Sequence, residues 1–459
     1  MEDTIAAVAT TVGESSINVI RISGKDSISV ANRIFSKDIS NVSSHTVHYG
    51  FIMENGEKVD EVLLSVFKSP KTFTTEDIVE ISVHGGNSSV NKVMELILSN
   101  GARLAEPGEF LKRAFLNGRI DLTQAEAVGD LISSQTESSR KMALKGVDKT
   151  IFKTINELKE KVLALIANIE VNIDYPEYED AVVVTNDLII KTINEVKEEI
   201  NKLLKNSKKG LLIKNGLKIV IVGKPNVGKS SILNALLNEN KAIVTNIKGT
   251  TRDIVTGVLV IEGVKIDILD TAGIRETDDV VESIGVKRSV DAIDEADLVL
   301  FVVDSVDGFT DEDAEVLEHI KDKEVLVVYN KNDVVKDYKN DKLKDYESIN
   351  MSTFDSDMIS KLKDEIAKIF DLKSIAESNY MYISNARQIA LLNNCIDIIG
   401  DIDNSVKNNE LVDMIEIDVK KLWETLSEIT GEVSSDDLLD EIFSVNFVLE
   451  SRWYKWNMM

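Results

Sequence analysis

Cys395 is the only cysteine in 459 residues, which excludes an intrachain disulfide and a thiolate metal cluster. Its setting, Ile389-Ala-Leu-Leu-Asn-Asn-Cys-Ile-Asp-Ile-Ile399, reads as a helix face rather than a reactive thiol. Only four prolines interrupt a chain that is 43% hydrophobic, so an ordered, helix-rich globular protein of two or three domains is expected. No apolar run approaches the roughly eighteen residues of a membrane span. Met1-Glu-Asp-Thr-Ile5 lacks the basic and then apolar regions of an export signal, so a cytoplasmic protein with no membrane partner is expected. Positive charge is also scarce. The net charge is -26, which argues against broad non-specific binding to nucleic acid. Of that, -21 falls after residue 215, so any RNA surface is expected in the first half or on a partner protein.

What is present begins with Gly223-Lys-Pro-Asn-Val-Gly-Lys-Ser230, between the apolar run Leu217–Val222 and the helix-like Ser231–Leu237. This strand, glycine loop and helix form a P-loop, in which backbone N–H groups and a helix N-terminus cradle phosphates. The cradle takes in Asn226, Val227, Gly228, Lys229, Ser230 and Ser231. Lys229 is expected at the β- and γ-phosphates and Ser230 on Mg²⁺.

Gly249-Thr-Thr-Arg-Asp253 follows about twenty residues later, with Thr251 as the switch threonine on Mg²⁺. Thr245, Asn246, Ile247, Lys248, Gly249 and Thr250 complete that nucleotide-facing stretch. After a hairpin expected over 254–261 and 264–269 comes Asp270-Thr271-Ala272-Gly273, with Asp270 behind the metal. Asn330-Lys331-Asn-Asp333 follows an apolar strand. Its carboxylate can accept two hydrogen bonds from guanine's N1–H and exocyclic amine, which adenine cannot supply, so GTP is favoured over ATP. A further base-contact loop is expected at Met351-Ser-Thr-Phe354. Ile274 stands where many GTPases keep a water-positioning glutamine, so another device is needed, with candidates among residues 275–284 including Glu282.

Residues 1–118 read as α+β, with alternating stretches at 17–22, 61–67 and 78–83. Helical periodicity takes over at 121–132, 155–166 and 188–204. A basic joint, Lys208–Gly216, is expected to lead into a G domain over 216–372, with helices returning from Ala386. The expected architecture is multidomain. It comprises an α+β N-terminal domain (1–118), a helical domain built from both flanks (119–215 and 373–459) and an inserted α/β P-loop G domain.

This order resembles the tRNA modification GTPase family, MnmE/TrmE. The likeness rests on Val19-Ile-Arg-Ile-Ser-Gly24, Thr72-Phe-Thr-Thr-Glu-Asp-Ile-Val-Glu80, His84-Gly-Gly86, Pro107–Asn117, Leu122-Thr-Gln-Ala-Glu-Ala127 and Leu426-Ser-Glu-Ile-Thr-Gly-Glu432. The resemblance implies a homodimer that joins a flavin-dependent subunit in a heterotetramer. This assembly installs an aminomethyl or carboxymethylaminomethyl group at carbon five of the tRNA wobble uridine. A formyl- or methylene-tetrahydrofolate supplies the one-carbon unit. The N-terminal domain is then folate-binding-like and dimerising, with Arg21, Glu80 and Arg119 at the folate. It also implies K⁺ held by Asn226, Thr245, Ile247 and Thr250, and Glu282 orienting the attacking water, so catalysis falls to Glu282, Lys229 and Thr251.

The tail departs from the pattern. The family closes with Cys-x-Gly-Lys after Ile-Phe-Ser, whereas here Ile442-Phe-Ser444 runs into Val445–Met459 without cysteine. GTP hydrolysis is therefore expected to survive while modification is impaired. The alternative readings are a GTPase-switched regulator and a ribosome- or RNA-assembly GTPase.

Overall fold

The computed structural model describes residues 3–11, 13, 15–174, 185–238, 255–270, 292–377, 383–433, 439, 442 and 443, with the backbone alone at 238, 255, 256, 270 and 375–377. The departing tail lies outside them. The chain divides into two compact units, one of residues 1–132, 144–198 and 390–459 and one of 133–143 and 199–389.

The first unit opens with a six-stranded sheet: β1 (Ile5–Val8), β2 (Ile17–Ser23), β3 (Thr46–Glu54), β4 (Glu57–Phe67), β5 (Ile78–His84) and β6 (Arg103–Leu104), in the order β3-β4-β5-β2-β1-β6. All neighbours are antiparallel except β1 and β6. Helices α1 (Ser27–Ile34) and α2 (Asn87–Ser99) cover one face. The reason is the period of two: along β2, Ile20 and Ile22 are buried under the helices and Arg21 stands on the opposite face. Along β5, Val79, Ile81 and Val83 are buried in the same way and Glu80 faces away.

Next come α3 (Glu109–Leu116), α4 (Leu122–Ser133), α5 (Glu137–Val147), α6 (Thr150–Asp174) and α7 (Asn186–Asn215). The basic joint expected at 208–216 is helical up to Asn215, where α7 ends. Its composition suggested a linker, but Ile213 is buried in the core of the second unit, and that burial outweighs the cost of Gly210.

The second unit holds β7 (Leu217–Val222), α8 (Lys229–Asn238), β8 (Val255–Ile261), β9 (Val264–Asp270), β10 (Leu298–Asp304), α9 (Asp311–Ile320), β11 (Val325–Asn330), β12 (Glu347–Asn350), α10 (Ser356–Ile369) and α11 (Leu372–Glu377). Its sheet runs β12-β11-β10-β7-β9-β8, parallel except for β8. Both faces are covered, which is why β10 and β11 are buried at every position. Leu217, Ile219 and Ile221 pack toward α8 and α10, whereas Val220 and Val222 pack toward the α9 side.

The helices that follow, with bounds among the described residues, are α12 (Ala386–Lys407) and α13 (Val412–Thr430). Within the first unit α13 packs along α6, and buried Lys159 reaches Glu432 just past α13 at 2.5 Å. Cys395 on α12 is fully buried, and burial pushes its thiol up to about 12. Among the described residues no helix is long and apolar enough to cross a membrane.

Candidate functional site

In parallel α/β sheets, ligands bind beyond the carboxyl ends of the strands. Three such ends meet here. Residues 223–228 leave β7, residues 331–333 leave β11 and residues 351–355 leave β12. Gly223 and Gly228 have φ of 148° and 100°, and an added Cβ would lie 2.4 Å from the Val302 carbonyl oxygen and 2.2 Å from Asn330 Nδ2. Only glycine fits this close approach of loop to sheet. Asn226 takes the left-handed region at φ 66°. Val227 is buried, and Ser230 and Ser231 are exposed in the first turn of α8.

The Lys229 ammonium donates to the carbonyls of Gly223 and Lys224 at 2.7 and 2.8 Å, so it sits within its own loop. Lys224 lies 3.5 Å from Asp307 and 3.7 Å from buried Asp313, which ties the loop to the region around the start of α9. Asn330 Nδ2 donates to the Val227 carbonyl at 2.8 Å, so the end of β11 holds the 223–228 loop directly. Lys331, at φ 65°, pairs with Asp304 at 2.5 Å. That hydrogen bond holds the Lys331 ammonium above its ordinary range. Burial pushes the Asp304 carboxyl up, but Lys331 and the Val306 N–H outweigh it and hold the group below its usual range. Asp333 is exposed. The Asn332 N–H donates to the Met351 carbonyl at 3.0 Å, which sets the 351–355 loop beside the 330–333 segment.

Asp270 ends β9, its backbone in register with Ile221 of β7, one strand from the phosphate loop. Thr245, Asn246, Ile247, Lys248, Gly249, Thr250, Thr251, Thr271, Ala272, Gly273 and Glu282 lie outside the described residues. Among the described residues no cluster of three metal-ligating side chains occurs.

A second constellation occupies the sheet face of the first unit away from α1 and α2. Arg21 and Glu80 are register partners on β2 and β5, and Arg21 Nε donates to Glu80 Oε1 at 2.8 Å. The Arg21 guanidinium stands 5.3 Å from the Phe73 ring centroid and 5.6 Å from that of Phe110. Arg119 meets the same Phe73 ring at 4.9 Å and donates to the Phe73 carbonyl at 2.8 Å. Two arginines 98 positions apart therefore converge on one half-buried aromatic ring, with Glu80 paired to the first of them. Sequence reasoning missed Phe73, although it lies within the motif that ends at Glu80. Two guanidiniums with a carboxylate beside a ring suit a planar heterocycle that carries carboxylates.

Residues 4–119 match the family model described as GTP-binding protein TrmE N-terminus, and residues 122–447 match that of the MnmE helical domain. The tRNA modification GTPase MnmE of Bacillus cytotoxicus is 45% identical over 449 residues, covering 96% of this chain and 98% of that protein. That of Streptococcus thermophilus is 44% identical over 444 residues, covering 96% and 97%. The Lactococcus lactis protein of the same description is 44% identical over 443 residues.

Proposed function

Because this chain belongs to the MnmE family of tRNA modification GTPases, we propose that it couples a K⁺-activated GTPase cycle to modification of carbon five of the tRNA wobble uridine. That it is a GTP hydrolase acting in tRNA modification, using GTP with Mg²⁺, follows from its family. The proposal concerns the residues, the cation, the partners and the chemistry.

In this reading the loop of Gly223–Gly228 and the N-terminus of α8 bind the phosphates. Lys229 exchanges its two loop carbonyls for phosphate oxygens, and Ser230 and Thr251 hold Mg²⁺ with Asp270 behind it. Asn226, Thr245, Ile247 and Thr250 hold K⁺, which when bound supplies the positive charge that an arginine finger supplies elsewhere. Glu282 orients water. Asp333 reads the guanine edge while Asn330 keeps the phosphate loop in place.

The observation that carries the modification reading, rather than a bare GTP switch, is the convergence of Arg21, paired with Glu80, and Arg119 on Phe73. There the two arginines hold the glutamyl carboxylates of a tetrahydrofolate, and Glu80 accepts from the pterin's amide and amine edge. The bound folate supplies the one-carbon unit. The chain works as a homodimer, with N-terminal domains and G domains each pairing, and with a flavin-dependent subunit on tRNA.

Reconstitution tests this. The chain, the flavin-dependent subunit, tRNA, GTP, K⁺ and methylene-tetrahydrofolate are combined, and tRNA nucleosides are read by mass spectrometry. Modification that needs both GTP and folate is the expected result, and modification without folate would refute the folate assignment. The departure of residues 445–459 from Cys-x-Gly-Lys favours a second reading, in which GTP turns over without completed modification. Steady GTP hydrolysis with unmodified tRNA in the same mixture identifies it.

A further inference from the structure

Phe354 is 91% exposed, the most exposed large hydrophobic side chain among the described residues. Its exposure does not come from a loose loop. Met351, before it, is fully buried, and its N–H donates to the Tyr329 carbonyl at 2.9 Å. Ser352 is buried as well, and its hydroxyl accepts from the Phe354 N–H at 3.4 Å. On the other side the Asp355 N–H donates to the Ser352 carbonyl at 3.1 Å, and the Asp355 carboxylate caps α10 by accepting from the Asp357 N–H at 3.0 Å. The backbone is thus pinned on both sides while the ring is left in water.

The position of that ring is specific. Asn332 donates to the Met351 carbonyl, so the Phe354 turn adjoins the segment of Asn330, Lys331 and Asp333 at the carboxyl edge of the sheet. Of these, Asn330 is committed to Val227 and Lys331 to Asp304, and exposed Asp333 can satisfy only the edge of a base. Neither of the two committed groups offers an aromatic surface to the face of a purine. A solvent-exposed ring carried on a pinned backbone near the Asp333 segment fills that gap, because every base presents a π-face to stack on.

We propose that Phe354 stacks on the guanine of the bound nucleotide and contributes base affinity to the GTP site, while Asp333 selects the base. This rests on the guanine-reading role of Asp333 given above, and the experiment separates the two. GDP binding is measured by calorimetry on the full-length chain and its variants with Mg²⁺, and inorganic tripolyphosphate serves as a probe that has phosphates but no base.

Phe354→Ala is expected to weaken GDP about tenfold, the scale of one lost stacking contact, while tripolyphosphate binding is unchanged. Phe354→Tyr is expected to bind GDP like the unaltered chain. In hydrolysis, Phe354→Ala is expected to raise KM for GTP and leave kcat near its original value. GDP affinity unchanged by Phe354→Ala, with Asp333→Asn still weakening GDP, overturns the stacking role alone. Equal losses for GDP and tripolyphosphate in Phe354→Ala mean a folding defect or a phosphate effect, and also overturn it. If Asp333→Asn leaves GDP affinity unchanged, the guanine site itself is misplaced and the stacking role falls with it.

Discussion

The side-chain amide of Asn330 donates to the backbone carbonyl of Val227 at 2.8 Å, across 103 residues of sequence. It ties the two loops into one mechanical unit, because the residue that ends β11 also holds the loop that follows β7. Gly228 is the tightest point of that contact, since its missing Cβ would lie 2.2 Å from the same amide nitrogen.

Gly228→Ala is therefore expected to lose GDP affinity by about tenfold or more, through both the clash and the strain of φ 100°. Calorimetry reads the loss, and an unchanged far-ultraviolet circular dichroism spectrum shows that the fold is kept. Affinity equal to that of the unaltered chain would mean that the loop relaxes freely away from Asn330.

Arg21→Ala and Arg119→Ala are each expected to weaken tetrahydrofolate binding by about tenfold, the order of one lost charge-assisted contact. Neither is expected to change GTP hydrolysis, because both residues belong to the first unit. Equilibrium dialysis with tetrahydrofolate and a phosphate-release assay test the two halves of this expectation.

Arg113 has a fully buried side chain held by Asp3 at 2.9 Å, Glu109 at 3.0 Å and Glu76 at 3.1 Å. Arg113→Met leaves those carboxylates without their shared cation and is expected to destabilise the first unit by about 3–5 kcal/mol. Urea denaturation measures the loss. The network also sets acid behaviour. Burial pushes the Glu109 carboxyl up, but hydrogen bonds from Arg103, the Glu106 N–H and Arg113 outweigh it and hold it below its ordinary value. A depressed carboxyl contributes stability that is present above its unfolded value and lost as pH falls through its folded one. Acid destabilisation from this source is thus expected below about pH 4.

His84 has the opposite sign. Its ring nitrogen lies 2.6 Å from the Asp60 carboxylate, and that hydrogen bond holds the imidazole above its ordinary value. The stability it contributes is full below about pH 6.5 and is lost as pH rises through the raised folded value. An NMR titration of the ring is expected to show the upward displacement, and Asp60→Asn is expected to abolish it.

Much of the second unit was legible because its signals are local. The P-loop, the Asp270 segment and the Asn330 segment are each short runs at the end of an apolar strand, and one chain direction suffices to read them. The convergence on Phe73 was not legible: residues 21, 73, 80, 110 and 119 share no periodicity and meet only once β2 pairs with β5. The end of α7 misled for another reason. Lys208-Lys209-Gly210 has a basic, glycine-containing composition, yet α7 runs through it and buries Ile213 in the core of the second unit. The loop at Met351–Phe354 was legible, but the exposure of its Phe354 ring was not, because it depends on how the backbone is pinned between β12 and α10.

The most direct test of the account is the rate of GTP hydrolysis by the full-length chain with Mg²⁺ in KCl against NaCl at equal ionic strength. Faster turnover is expected in K⁺, because the cation takes the place of an arginine finger while Glu282 takes that of the missing glutamine. Equal rates in the two salts would contradict it.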